Sequence, residues 1–220
     1  MTLSVTNILI LFTLYAFLLA DVFAISFHKP FLRWVLGKTE LMPILAFFYC
    51  YNASVINPYI LAALFFGWIG DLFLLKKDIT ACFLSGLISF LIGHIFYILT
   101  FAGISGYYES VPIFAWFILI GGLILLFLAY FIVLRYKKIM IIPGLIYYSV
   151  VIFLNFTIAC CYHRFHNIAF TVAILGSLLF LISDSLLALR SIAKKLPPHT
   201  PLIIFTYVPA QFLLIMGTLL

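Results

Sequence analysis

Eight apolar stretches, most of them about twenty residues long, follow one another through this chain of 220 residues, and they limit its fold more than any other feature. A helical run of that length matches the roughly 30 Å hydrocarbon core of a bilayer. Helices satisfy their own backbone hydrogen bonds inside lipid, and runs this apolar do not alternate as barrel strands must. We therefore predict an all-α polytopic membrane bundle of about eight transmembrane helices.

The predicted spans are separated by charged residues, prolines and short turns. They cover residues 3–27, 39–51, 58–75, 81–102, 111–134, 139–161, 168–189 and 200–220. Charged residues make up only 8% of the chain, whereas a soluble domain has about 25%. Because the spans use nearly all of the chain, we predict a single transmembrane domain, residues 1–220, that carries any activity itself.

Basic residues are distributed unevenly among the predicted loops. Of the 12 lysines and arginines, 11 fall in the first, third, fifth and seventh loops, and only Arg164 lies elsewhere. By the positive-inside rule these four loops face the cytoplasm. We predict a multi-pass protein of a bacterial inner membrane with both termini outside the cytoplasm. The net charge of +6 arises from these loops, so we predict no nucleic-acid partner.

A short pattern occurs twice in the chain. The sequence IGDLFL at residues 69–74 resembles ISDSLL at residues 182–187, four predicted spans later. A duplicated four-helix unit would give two parallel halves. Six residues are also compatible with coincidence, so both interpretations stay open at this point.

Two of the six acidic residues, Asp71 and Asp184, lie inside spans with apolar residues on both sides. An ionisable group within a span is costly and marks a candidate functional site. At 1.5 Å per residue each lies about 7 to 9 Å from the cytoplasmic end of its helix, so the two can meet at one level. Asp21, in the first span, is either an interior partner or part of a site.

Other polar side chains reach a similar level or the cytoplasmic mouth above it. Tyr147, Tyr207 and Gln211 are predicted to bind or orient a substrate, and Gln211 lies one turn beyond Tyr207 on the same face. The lysines at the mouth either hold a lipid phosphate or only fix the topology. These are Lys38, Lys76 and Lys77.

Histidines provide a weaker signal. His94 lies about 20 Å from the cytoplasmic end of its span and is first a hydrogen-bonded bundle residue and second a catalytic candidate. His163 and His166 form an HxxH pattern in an outer loop without a third ligand nearby in sequence. We therefore predict no metal site and no cofactor.

Two carboxyl groups in one apolar cavity can divide the roles of acid and base, because one can keep its proton while the other is ionised. The chain has no nucleophile elbow, zinc-protease motif, P-loop or dinucleotide fingerprint. The pair could cleave an acid-labile bond to oxygen. It could equally carry protons in a small-molecule transporter or lipid flippase.

Four stretches resemble the YhhN/TMEM86 family of lysoplasmalogenases: GWIGDLFLL, GLISFLIGHIFYILTF, GSLLFLISDSLLAL and TYVPAQFLL. The resemblance extends from about Arg33 to Leu220. It implies an eight-helix membrane hydrolase that cleaves the vinyl-ether bond of a lysoplasmalogen. The products would be a fatty aldehyde and a glycerophospho-alcohol, and the partners a lysophospholipid and the bilayer.

This implied reaction agrees with the two carboxylates. A vinyl ether is hydrolysed through protonation of its β-carbon, and water attacks the resulting oxocarbenium ion, a division of labour shared with glycosidases. We predict Asp71 and Asp184 as the catalytic pair, with the order unassigned. Against transport, the acids lie near one face, and no span shows a Gly or Pro break near its middle.

Overall fold

The computed structural model describes residues 4–27, 29, 31–32, 37–76, 79–136, 141–165, 167–191, 196–197 and 201–220. These residues form α1 Val5–Ser26, α2 Lys38–Asn52, α3 Pro58–Leu74, α4 Thr80–Ile104, α5 Ile113–Tyr136, α6 Ile141–Cys160, α7 Asn167–Ser191 and α8 Leu202–Leu219, with a 3-10 turn at Cys161–His163. The described part of the chain contains no strand. The prediction of an all-α bundle is confirmed.

Each helix begins and ends within two residues of its predicted span. Local signals set several of these ends. The Ser4 side chain accepts a hydrogen bond from the Asn7 backbone N–H at 3.2 Å and caps α1. Asn57 caps α3 by accepting from the Tyr59 N–H at 2.9 Å, and Pro58 occupies the first helical position.

The helices differ in their capacity to cross a bilayer. Five stretches are long and apolar enough: α1, α4, α6 with its 3-10 turn, nearly all of α7, and α8. The 17-residue α3 and the segment Ile113–Leu128 of α5 are shorter apolar helices. Helix α2 has 15 residues and a length of about 22 Å at 1.5 Å per residue. This is a multi-pass membrane protein.

Two helical hairpins, α3–α4 and α7–α8, pack most closely. A Cβ atom added at Gly93 of α4 would lie 3.1 Å from the Ala63 carbonyl oxygen of α3. A Cβ atom at Gly176 of α7 would lie 2.9 Å from the Leu214 backbone nitrogen of α8. Glycine therefore permits the close approach in both hairpins. One hairpin carries Asp71 and the other Asp184, as expected for two related halves, although relatedness stays a prediction.

Helix α8 contains Pro209 near its middle and nevertheless remains continuous. An interior proline removes one backbone N–H and frees the carbonyl four residues earlier, here that of Phe205. The span therefore has a proline near its middle, but the helix does not break there. Contacts with α7 before and after Pro209 support it: Ser183 Oγ donates to the Ile203 carbonyl at 3.3 Å, and Gly176 packs on Leu214.

The short helix α2 is fixed to its neighbours by polar contacts at both ends. The Trp68 indole N–H of α3 donates to the Thr39 carbonyl at 2.8 Å. Asn7 and Asn52 exchange two side-chain hydrogen bonds of 2.9 Å between α1 and α2. Because the first of these contacts holds the beginning of α2 against α3, the side chain of Lys38 extends into the bundle, where it is 7% exposed.

Candidate active site

Asp71 on α3 and Asp184 on α7 line the same cleft and are 0% and 8% exposed. The cleft contains about 530 Å³ of empty space. Lys38 and Arg190 also line it, and we call it the charged cleft after these four residues. The structure thus brings the two predicted carboxyl groups into one cavity at one level of the bundle.

Asp71 forms a buried ion pair. Lys38 Nζ lies 2.6 Å from Asp71 Oδ1, and the Tyr207 hydroxyl lies beside the same carboxylate. The ammonium group also lies 5.6 Å from the centre of the Tyr207 ring and 6.0 Å from that of Phe90. A buried ammonium has to be balanced by a negative charge, so this geometry fits an ionised Asp71.

Glycines on α3 allow these aromatic side chains to approach Asp71. A Cβ atom at Gly70 would lie 2.8 Å from the Phe90 ring. A Cβ atom at Gly67 would lie 3.3 Å from the Tyr207 hydroxyl and 3.4 Å from Gln211 Nε2. The G-x-x-G-D pattern of α3 therefore makes room for the partners of its own aspartate.

A relay of polar groups leads from α4 to Asp71. The Tyr97 hydroxyl donates a 2.5 Å hydrogen bond to Gln211 Oε1. Because that oxygen is occupied, Gln211 has its NH₂ group for the neighbouring Tyr207, and the Tyr207 O–H remains available to Asp71. Sequence reasoning found Tyr207 and Gln211 but missed Tyr97, although it follows His94 by three residues and so lies on the same helical face.

Asp184 has neighbours of a different kind. The Tyr147 hydroxyl of α6 lies beside its carboxyl group, and His94 Nε2 of α4 lies 3.8 Å from Asp184 Oδ2. His94 Nδ1 is 2.6 Å from the Phe90 carbonyl oxygen, which can only accept, so Nδ1 carries the hydrogen. In the neutral ring the lone pair of Nε2 then faces Asp184.

His94 is closer to the carboxyl pair than its distance from the helix end indicated. Phe90, one turn before it, packs its ring against Gly70, which directly precedes Asp71. His94 Nε2 nevertheless lies 3.8 Å from Asp184 Oδ2, so equal residue counts from the helix ends do not mark equal depth on α4 and α7. His94 also stacks edge-on against Tyr147 and Phe180.

The basic residues predicted at the mouth differ in how far they are buried. Lys38 is buried against Asp71, whereas Lys76 is exposed. Lys77 and His166 lie outside the described residues. Arg190 lines the charged cleft, although its sequence position identified it only as a loop charge. A third carboxylate, that of Asp21, is fully buried and close enough to interact electrostatically with Asp71.

A second cleft, with about 390 Å³ of space that is partly open to the surroundings, lies between α4, α6 and α7. Its walls come from Phe83 and Leu87 of α4, Gly144 and Tyr148 of α6, and Leu187 and Ala188 of α7. We call it the apolar cleft. Asp184 and Leu187 line both clefts, so Asp184 stands at the boundary between a charged and an apolar cavity.

Comparison with known proteins identifies the family from sequence. No curated protein and no solved structure matches this chain significantly. The family model described as the YhhN family matches residues 32–218, which include both aspartates, the Tyr97–Gln211–Tyr207 relay and both clefts except the Ile25 wall. The chain therefore belongs to the YhhN family.

Proposed function

We propose that this protein hydrolyses the vinyl-ether bond of lysoplasmalogen-type lysophospholipids. The observation that carries the proposal is the position of Asp184 between the charged and apolar clefts. In such a lipid the vinyl ether separates a charged head group from an aliphatic chain. A molecule with its head group in one cleft and its chain in the other presents that bond to Asp184.

Asp184 is the proposed acid. Its neighbours Tyr147 and His94 can both be neutral, so the site does not require a negative charge on this residue. A protonated Asp184 donates its proton to the β-carbon of the vinyl ether, and the electron pair of the double bond forms the new C–H bond. The ether oxygen then shares the positive charge with the adjacent carbon as an oxocarbenium ion.

Asp71 is the proposed anionic partner. Its carboxylate, held by Lys38 and Tyr207, stabilises the oxocarbenium ion and accepts a proton from the attacking water. The resulting hemiacetal breaks its bond to the glycerol oxygen. The glycerol oxygen takes up a proton as the hemiacetal hydroxyl loses one. The proton that Asp71 took from water is released to solvent, and Asp184 takes one up from solvent, so both carboxyl groups return to their starting states. One water molecule is consumed, and an aldehyde and a glycerophospho-alcohol are formed.

The substrate phosphate is assigned to the mouth of the charged cleft. Arg190 lines this cleft, and its guanidinium group is suited to bidentate phosphate binding. Lys76 and Lys77 remain predicted secondary contacts.

We further propose that this mouth faces the cytoplasm, with both termini on the opposite side. A cysteine placed after Leu220, in a variant without the four native cysteines, should then be labelled by an impermeant maleimide from outside bacterial spheroplasts; labelling only after lysis would contradict this orientation.

The activity is tested with purified protein in detergent, without a membrane gradient. A 1-alkenyl lysophospholipid should release a fatty aldehyde, while the matched 1-alkyl lysophospholipid, which lacks the double bond, should remain intact. A proton-coupled transporter would release no aldehyde and would require a gradient. Absence of aldehyde from folded protein across ethanolamine and choline head groups would overturn the proposal.

A further inference from the structure

We propose that the apolar cleft binds the single aliphatic chain of the substrate, and that Gly144 keeps it open for long chains. This inference rests on the proposed function, because it assigns a place to the chain of the same lipid. Neither the family resemblance nor the catalytic pair indicates where the chain lies.

The apolar cleft is continuous with the charged cleft. Asp184 and Leu187 belong to both cavities, so a chain attached to a head group near Arg190 can enter the apolar cleft directly beside the acid. In the proposed substrate, the vinyl ether joins the glycerophospho head group directly to the aliphatic chain. The two clefts together therefore match an amphiphile with one charged end and one chain.

The lining of the apolar cleft is suited to an aliphatic chain. The Tyr148 hydroxyl donates to Ser185 Oγ at 2.9 Å, and the Tyr147 hydroxyl lies at the Asp184 end of the cleft. The tyrosine rings, Phe83 and Leu87 then provide an apolar surface. An aliphatic chain is the ligand that this surface fits.

Gly144 lies in the wall of the apolar cleft. It precedes Tyr147 by one helical turn and lies on the same face of α6. A Cβ atom at Gly144 would have no described atom within 4 Å, so a larger side chain there meets open space. Such a side chain would occupy part of the cleft without displacing the helices. A short chain ends before this point, whereas a long chain has to pass it.

The test compares Gly144→Phe with Gly121→Phe. Gly121, on α5, also has open space around its Cβ position but lines neither cleft. kcat/KM is measured for 1-alkenyl lysophosphatidylethanolamines from decenyl to octadecenyl. Each methylene removed from an apolar site costs a factor of about four, so displacing two or three should lower kcat/KM for the longest chain by about 16- to 64-fold. The decenyl substrate should lose less than about three-fold, and Gly121→Phe should match the wild type throughout.

A binding measurement separates this inference from the proposed function. A 1-alkyl lysophosphatidylethanolamine with a diazirine at the chain end is photo-crosslinked to wild-type protein and mapped by mass spectrometry. Labels on α4 or α6 residues of the apolar cleft support the inference even if no aldehyde is released, which would overturn only the hydrolase activity. Labels confined to other helices overturn it. The inference is also overturned if Gly144→Phe and the smaller Gly144→Leu both release aldehyde and both show the wild-type dependence of kcat/KM on chain length.

Discussion

Asp71 and Asp184 are the same kind of side chain in the same cleft, and they differ in almost every contact. Asp71 faces an ammonium group at 2.6 Å and a relay of three polar side chains. Asp184 faces a phenol and an imidazole and stands where the charged cleft meets the apolar one. One carboxyl group is surrounded by partners for a charge, and the other stands next to the cleft proposed to hold the aliphatic chain of the substrate.

This difference indicates how two identical residues can have separate roles. The sequence placed both at one depth and left the order of acid and base open. The surroundings support an assignment, because a buried lysine ammonium favours a carboxylate beside it. Substitutions at the two positions should therefore have different consequences for stability and for catalysis.

The largest expected effect is the loss of catalysis in Asp184→Asn. Asparagine keeps the shape but cannot donate the proton, and general acid catalysis is worth about 10² to 10⁴ in rate. We expect kcat for aldehyde release to fall by that factor while the protein stays folded. Glu109→Gln is the control, since the exposed Glu109, between α4 and α5, pairs with Arg164, between α6 and α7, away from the cleft. A folded Asp184→Asn variant that keeps more than about a tenth of kcat would refute the assignment.

Asp71→Asn should lose stability as well as activity. It removes the carboxylate that lies 2.6 Å from the buried Lys38 ammonium, and breaking a buried ion pair costs about 3 to 5 kcal/mol in other proteins. Adding Lys38→Met to Asp71→Asn should restore most of the thermal stability and none of the activity. Thermal unfolding in detergent measures both variants. If Asp71→Asn unfolds at the same temperature as Asp184→Asn, the two carboxyl groups do not differ in the way described.

Arg190→Gln should change substrate binding more than chemistry. A hydrogen bond to a charged group contributes about 1.5 to 3 kcal/mol, so KM should rise about 10- to 100-fold while kcat changes little. Lys76→Gln and Lys77→Gln test the sequence-based prediction for the mouth. We expect smaller increases in KM there, because Lys76 is exposed. A fall in kcat with unchanged KM in Arg190→Gln would place Arg190 outside the phosphate site.

The smallest expected effects come from the two tyrosines beside the carboxyl groups. Tyr147→Phe removes the hydroxyl next to Asp184 and should lower kcat about five- to ten-fold, the cost of about one hydrogen bond. Tyr207→Phe should have a smaller effect, because Lys38 still holds Asp71. Steady-state kinetics of the two variants give the ratio directly. A larger loss of kcat in Tyr207→Phe would reverse the proposed order of the two sites.

The helices and the depth of the carboxyl pair could be predicted from the sequence, because both depend on local signals. Apolar runs end at charges and prolines, and counting from Lys76 and Arg190 places Asp71 and Asp184 at one level. The two hairpins that carry them are held by glycines on facing helices.

The partners of each aspartate could not be predicted, because they depend on how helices pack. Lys38 was expected at the mouth, but the Trp68–Thr39 contact directs it inward. His94 was predicted about 20 Å from the end of its span, whereas its Nε2 lies 3.8 Å from Asp184 Oδ2, a contact between helices that counting along one helix cannot give. Arg190, Tyr97 and the apolar cleft became visible only when side chains from separate helices were placed together.

The position of the proton delivered in the reaction tests the central claim most directly. Wild-type protein is incubated in D₂O with a 1-alkenyl lysophospholipid, and the aldehyde is reduced at once to the alcohol and examined by mass spectrometry. If a protonated Asp184 delivers a proton to the β-carbon, the product carries one deuterium on the carbon next to the former carbonyl. An aldehyde without deuterium at that carbon would contradict the account.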